Sequence, residues 1–207
     1  MNETKISKRL QKINEQIEKN NAEFKKATPA QKRVLIAQDV IAQIKAKRFI
    51  AESGIWAIPS YKDNVVLDGD ESVQKLFATK ELESCNVCAL GGLFMSCANL
   101  NNTTTSDDLN CEADSLGEII SEGRDISNGL HKFFSKKQLM LIEIYFERNQ
   151  GYFTNCNVEF DSRFLKSIDF DHVRSFGEKY GGDDNKRLKA IMENIVANNG
   201  TFVPNKL

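Results

Sequence analysis

A chain of 207 residues is long enough for one or two compact domains, since a domain usually takes about 100 to 200 residues. Its hydrophobic fraction of 41% excludes an intrinsically disordered chain, because that much apolar surface can bury a sizeable core. The 28 basic and 29 acidic residues leave a net charge of −1, so the composition gives no reason to expect a nucleic-acid-binding protein.

The lack of a recognisable targeting signal and the cysteine usage both predict a cytoplasmic protein. No stretch of the sequence approaches the ~20 consecutive apolar residues that a membrane span requires, so no membrane partner is expected. The first 26 residues are charged throughout and lack the apolar segment of a secretory signal. The five cysteines are an odd number at irregular spacing, which is typical of free thiols in a reducing compartment.

The N-terminal 26 residues carry a narrow apolar stripe at alternating spacings of three and four. Its positions are Ile6, Leu10, Ile13, Ile17, Asn20 and Phe24. This heptad pattern is typical of a coiled coil, in which a polar residue such as Asn20 can fix register. We therefore predict that residues 1–27 form an amphipathic helix that serves as an oligomerisation arm of a homo-oligomer, joined to a single helical domain at 28–207. Packing of this helix on its own domain is the alternative.

The remaining sequence predicts an all-α fold of six to eight helices, and the presence of only three prolines supports it. Thr28, Pro29 and Gln31 have the pattern of a helix N-terminus with a capping box, and 33–48 reads as a core helix. The periodicity fails over 49–70, which predicts one short irregular or extended segment. Further helices are predicted at residues 71–79, 84–101, 115–121, 139–148, 161–181 and 185–199.

Cys85 and Cys88 are the only cysteines at metal-ligand spacing. Structural zinc takes four ligands, and the other cysteines and the two histidines form no second close pair. If the segment is helical, the two cysteines share one face and suit plain core packing. We therefore expect no bound metal and no cofactor.

The sequence contains no recognisable catalytic motif. It has no phosphate-binding glycine loop, no dinucleotide-binding glycine pattern, no nucleophile elbow and no zinc-protease helix. No catalytic residue is predicted, and a binding protein is favoured over an enzyme.

Three stretches of the sequence, taken together, indicate a resemblance to known proteins. They are TPAQKRVLIAQDVIAQI at 28–44, CNVCALGGLF at 85–94 and QLMLIEIYFE at 138–147. Over about residues 28–147 the chain thereby resembles a family of small, mostly uncharacterised proteins encoded by bacteriophages. The resemblance implies action in the host cell cytoplasm. It also implies that the polar residues of these stretches are candidates for a shared site: Arg33, Asp39, Gln43, Cys85, Cys88, Gln138 and Glu143. The same residues are equally candidates for a buried polar network.

Phage proteins of this size without catalytic motifs commonly act on the host by binding, so the resemblance suggests two functions. The leading hypothesis is a host-defence antagonist that sequesters a small nucleotide-like immune signal. Arg33 would bind phosphate beside a helix N-terminus, and Trp56 and Tyr61 would stack on a base. The alternative is a protein-binding modulator that blocks a host or viral partner through its surface, without catalysis.

Overall fold

The computed structural model describes residues 3–63, 72–101, 130–148 and 162–207. The helices within these ranges are α1 (Glu3–Lys26), α2 (Pro29–Lys45), α3 (Val73–Thr79), α4 (Ala89–Asn101), α5 (Lys136–Glu147), α6 (Ser162–Lys166), α7 (Phe170–Tyr180) and α8 (Asp184–Ala197). The strands are β1 (Phe49–Ala51), β2 (Ala57–Tyr61) and β3 (Leu82–Val87). Among the described helices, none has the length and apolar character that a membrane crossing needs. The helix predicted at 115–121 lies outside the described residues.

The all-α prediction is wrong, because three strands form a mixed sheet with β3 in the centre. β1 runs parallel to β3, and β2 runs antiparallel to it. The helix predicted at 84–101 therefore begins only at Ala89. Residues 82–87 are extended since their backbone groups pair with β1 and β2, and such pairing depends on segments distant in the sequence rather than on local pattern.

The start of α2 is confirmed as predicted. The Thr28 hydroxyl accepts the backbone N–H of Gln31 at 3.3 Å, and the Gln31 side chain accepts the N–H of Thr28 at 2.9 Å. This capping box satisfies two donors that a helix N-terminus otherwise leaves unpaired. The helix then buries Ile36, Ala37 and Val40, so the prediction of a core helix is also confirmed.

The central element of the fold is α4, in which every residue from 89 to 98 is buried. It packs against α1, α2, α3 and α5, and it also contacts all three strands. Position 91 requires glycine, because a Cβ atom there would overlap the carbonyl oxygen of Trp56. At Gly92 the nearest atom to an added Cβ would lie 3.6 Å away, which is an ordinary contact.

The N-terminal helix α1 packs against α3 and α4 of its own chain. Phe24, at the last position of the heptad stripe, is buried and meets the ring of Phe133 edge-on, with 5.4 Å between ring centroids. Ile13 and Ile17 are half-buried. The stripe therefore makes contacts within one chain, while assembly of copies through α1 stays a prediction.

A shortened chain tests that assembly. Because Phe24 belongs to the core, the chain should start at Gln11, which removes Ile6 and Leu10 and keeps the contact with Phe133. We expect light scattering to give a lower oligomer number for this chain than for the full chain, with helicity otherwise preserved. An unchanged oligomer number would rule out a role for the removed part of the stripe.

The two glycines of α4 give a matched pair of variants. We expect Gly91→Ala to lower the free energy of unfolding by about 2 to 3 kcal/mol, because overpacking against backbone forces the chain to shift. Gly92→Ala should be neutral or raise it by up to ~1 kcal/mol, since alanine is the better helix former. Urea unfolding of both variants provides the comparison, and equal effects at the two positions would contradict the close approach at Gly91.

Candidate functional site

Polar side chains gather at both ends of the buried helix α4. At its C-terminal end a cavity of about 660 Å³ lies between α1, α3 and α4, a size typical of small-molecule sites. Its lining residues are two cations, four amides and four apolar residues: Lys12, Arg48, Gln16, Asn20, Gln74, Asn99, Ile13, Ile17, Phe77 and Ala78. The cavity wall is therefore positively charged and rich in hydrogen-bonding groups.

The amides of the wall are held by hydrogen bonds between helices. Gln74 of α3 is 2% exposed, and its Nε2 donates to the side chain of Asn21 at 3.0 Å and to the carbonyl of Asn99 at 2.6 Å. Within α1, Gln16 donates to the Asn20 side chain at 2.8 Å. The bonds of Gln74 thus join α3 to α1 and α4 at the cavity.

Arg48 lines the cavity and has one hydrogen-bond donor that the described residues do not use. Its guanidinium lies 5.8 Å from the centre of the Phe77 ring, and Nη1 donates to the Phe77 carbonyl at 3.4 Å. Its Nε is buried and has no hydrogen-bond partner among the described residues. A half-buried guanidinium with a donor unused is suited to binding an anion.

Two of the predicted polar residues, Asp39 and Gln43, form a network that reaches the cavity wall. Gln43 Nε2 donates to Asp39 Oδ1 at 2.9 Å, and Asn99 Nδ2 donates to the same oxygen at 3.1 Å. Burial raises the pKa of Asp39 above its ordinary value, although hydrogen bonds from Gln43, Ser96 and Asn99 and the charge of Arg48 act in the opposite direction. Asp39 therefore holds the cavity-lining side chain of Asn99 by a hydrogen bond.

The predicted ligand-binding trio is not among the residues that line the cavity. Arg33 Nε donates to the carbonyl of Gly200 at 2.6 Å. Trp56 is half-buried, and its ring lies 5.6 Å from that of Phe94. The hydroxyl of Tyr61, on β2, is buried without a hydrogen-bond partner in the described part of the chain. The contacts of the three residues lie on different elements, and their role in binding stays a prediction.

A thiol and two carboxyls meet at the other end of α4. The sulfur of Cys88 and one carboxylate oxygen each from Glu143 and Glu147 all lie within 4.8 Å of one another. Burial raises the pKa of each of the three groups, and the neighbouring charge of Glu147 raises that of Glu143 further. Cys88 and Glu143 were candidates from the sequence, but Glu147 was not. Its spacing of four from Glu143 on one helix was the available signal.

Cys85 and Gln138 have other surroundings. Cys85 lies within β3 rather than on a shared helix face with Cys88, and burial raises its pKa to about 12. Gln138 donates to the carbonyl of Phe202 at 3.3 Å and accepts its N–H at 2.7 Å. Gln138 thus fixes the C-terminal segment against α5.

The residues Lys12, Arg48, Gln74 and Asn99 were missed by sequence reasoning. Gln74 and Asn99 are amides in helices that are mostly buried, and Asn20 is polar within the apolar stripe of α1. This recurrence of amides at positions facing a core was the signal that could have found the cavity.

The raised pKa of Asp39 has a consequence for stability. Because the folded state holds the proton more tightly than the unfolded chain, stability falls as pH rises above the ordinary value of 3.8. We expect Asp39→Asn, which keeps an oxygen for Gln43 and Asn99, to reduce this loss between about pH 3 and pH 7. Urea unfolding at several pH values gives the slope, and the exposed Asp63→Asn is the control. Equal slopes for Asp39→Asn and the native chain would contradict the assignment.

Comparisons with known proteins identify no relative of this chain. No protein family model, no curated protein and no solved structure matches the chain. The resemblance to phage proteins therefore stays a prediction, and the functional assignment rests on the two polar sites at the ends of α4.

Proposed function

We propose that this protein binds a small anionic, nucleotide-like molecule in the cavity between α1, α3 and α4. The composition of the wall carries the proposal: its ten residues include two cations, four amides and one aromatic ring, and no carboxylate. Clefts lined by charges of one sign concentrate ligands of the opposite sign. The cavity therefore favours an anion that also offers polar edges and an apolar face.

A nucleotide supplies each of these three features. Its phosphate suits Arg48, whose planar guanidinium binds phosphate oxygens in pairs, and the flexible ammonium of Lys12. Its base edges and ribose hydroxyls suit the amides of Gln16 and Asn20, which line the cavity and are less buried than Gln74. The face of the base suits Phe77 and the isoleucines of α1, because aromatic and apolar surfaces cover flat rings.

In its biological setting, we propose that the protein sequesters a nucleotide-like immune signal in the cytoplasm of an infected host cell. The phage resemblance of the sequence supports this role. A cavity whose walls come largely from three helices of one chain suits retention of a ligand more than turnover, and its ten described lining residues include no carboxylate, thiol or imidazole for acid–base or nucleophilic chemistry.

A second candidate function is protein binding through the open face of the sheet. Ile50 is 41% exposed and Ile58 is 56% exposed. Both residues stand opposite Asn86 of the central strand, one on each side. Among the described residues these two isoleucines are the exposed large hydrophobics, which favours the alternative of a protein-blocking modulator.

Calorimetric titration of the full chain with a panel of cyclic and ADP-ribose-derived nucleotides tests the cavity. We expect micromolar or tighter binding of at least one member. Lys12→Ala should weaken that binding about tenfold or more, because a hydrogen bond to a charged group is worth about 1.5 to 3 kcal/mol. Lys19→Ala is the matched control, since Lys19 is exposed on the same helix and does not line the cavity.

Two outcomes would contradict the proposal. Binding that is lost in Arg33→Ala or Trp56→Ala at preserved thermal stability, and unaffected in Lys12→Ala, would place the ligand at the trio predicted from the sequence. Absence of binding across the whole panel would favour the exposed isoleucines of the sheet as the functional surface.

A further inference from the structure

The cluster of Cys88, Glu143 and Glu147 has the geometry of a nearly closed metal site. Its three donor atoms lie within 4.8 Å of one another. Around a tetrahedral zinc ion, bonds of about 2.0 to 2.3 Å place such atoms roughly 3.4 to 3.6 Å apart. A small inward movement of the side chains is therefore enough to bring all three atoms to one ion.

Glu143 provides an independent observation that points to a ligand. Its side chain is 2% exposed, and its Oε2 atom has no hydrogen-bond partner in the described residues. A buried carboxylate oxygen without a partner carries a desolvation penalty that native proteins normally offset. A bound cation at this position offsets it.

Backbone groups already orient two of the three side chains. The N–H of Gly91 donates to the Cys88 sulfur at 3.4 Å. The N–H of Gly54 donates to both oxygens of Glu147, at 3.1 and 3.2 Å. Such outer contacts hold metal ligands in place in known metalloproteins.

Deprotonation of the whole cluster needs more positive charge than its described neighbours supply. Among the described residues, Arg187 is a fully buried cation whose charge acts on Glu147, and Arg187 Nη2 already donates to Asp184 at 2.7 Å and to Ser53 at 3.0 Å. One arginine that also serves Asp184 would not neutralise a thiolate and two carboxylates. A divalent cation would, and it would allow all three groups to be deprotonated within the fold.

We propose that Cys88, Glu143 and Glu147 form a binding site for a divalent cation with the ligand preferences of Zn²⁺. Mg²⁺ and Ca²⁺ favour all-oxygen ligand sets, whereas Zn²⁺ accepts sulfur and oxygen together. Three protein ligands leave the fourth tetrahedral position for water, as in zinc sites that are not purely structural. The expectation of no metal considered Cys85 as the partner of Cys88, whereas the proposed ligands come from β3–α4 and from α5.

Metal titration of the metal-depleted full chain tests the site. We expect one Zn²⁺ per chain, competition by Co²⁺, and a thiolate-to-cobalt absorption band in the Co²⁺ form. Mg²⁺ should not compete. Cys88→Ser and Glu143→Gln should weaken Zn²⁺ binding at least about 100-fold, because loss of an outer contact alone costs about 10- to 100-fold. Cys85→Ser is the matched control and should keep both the affinity and the absorption band.

Thermal unfolding separates metal binding from a merely structural role. Glu143→Gln replaces a buried acid by a neutral amide and is expected to fold. Zn²⁺ should raise the midpoint temperature of unfolding of the native chain and of Cys85→Ser. It should leave the midpoint temperature of Glu143→Gln unchanged. Failure of the native chain to bind Zn²⁺, binding that persists in Glu143→Gln, or a Co²⁺ form without the thiolate band would each overturn the proposal. The two carboxyls would then share a proton instead.

Discussion

The close approach of α4 to the backbone before β2 is the constraint on which the rest of the structure depends. The fold leaves no room for a side chain at Gly91, where the helix meets the carbonyl of Trp56. The N–H of Cys88 donates to the carbonyls of Ile55 and Trp56, at 2.6 and 3.2 Å. These contacts fix where α4 begins, and therefore where the sulfur of Cys88 lies.

Burial of α4 also explains why polar chemistry concentrates at its ends. Residues 89 to 98 are enclosed by other elements, so the polar groups next to this helix gather where its backbone hydrogen bonding is incomplete. At the N-terminal end burial raises the pKa of Cys88 and of Glu143, and the backbone N–H of Gly91 donates to the Cys88 sulfur. The C-terminal end carries partial negative charge and favours the cations of the cavity, of which Arg48 is the more buried. One buried helix thus supports two sites of opposite charge preference.

Local sequence pattern was sufficient to predict the elements that short-range interactions determine. The capping box at Thr28 and Gln31 and the apolar face of α2 depend on residues a few positions apart, and both were predictable. The sheet was not predictable in this way, because residues 82–87 become a strand only through pairing with 49–51 and 57–61. The same limitation applies to the cysteines, since placing Cys85 in a strand separates it from Cys88.

The two sites show the same dependence on distance along the chain. Cys88 and Glu143 were recognised as candidates, but their contact joins segments 55 residues apart in number, and nothing in either segment indicates the other. The cavity combines Lys12, Arg48, Gln74 and Asn99 from four separate segments. Each of these residues alone has the pattern of an ordinary surface or packing residue, so only the fold brings out their shared charge and hydrogen-bonding character.

The central claim is that α4 carries two independent sites, one at each end. Two-dimensional NMR of the ¹⁵N-labelled full chain, titrated with zinc chloride and separately with the nucleotide panel, tests it most directly. Zinc should shift the backbone amides of Gly54, Leu90 and Gly91, and a bound nucleotide should shift the side-chain amides of Gln74 and Asn99. Shifts of one shared set of residues by both additions, or no shift at either end of α4, would contradict the account.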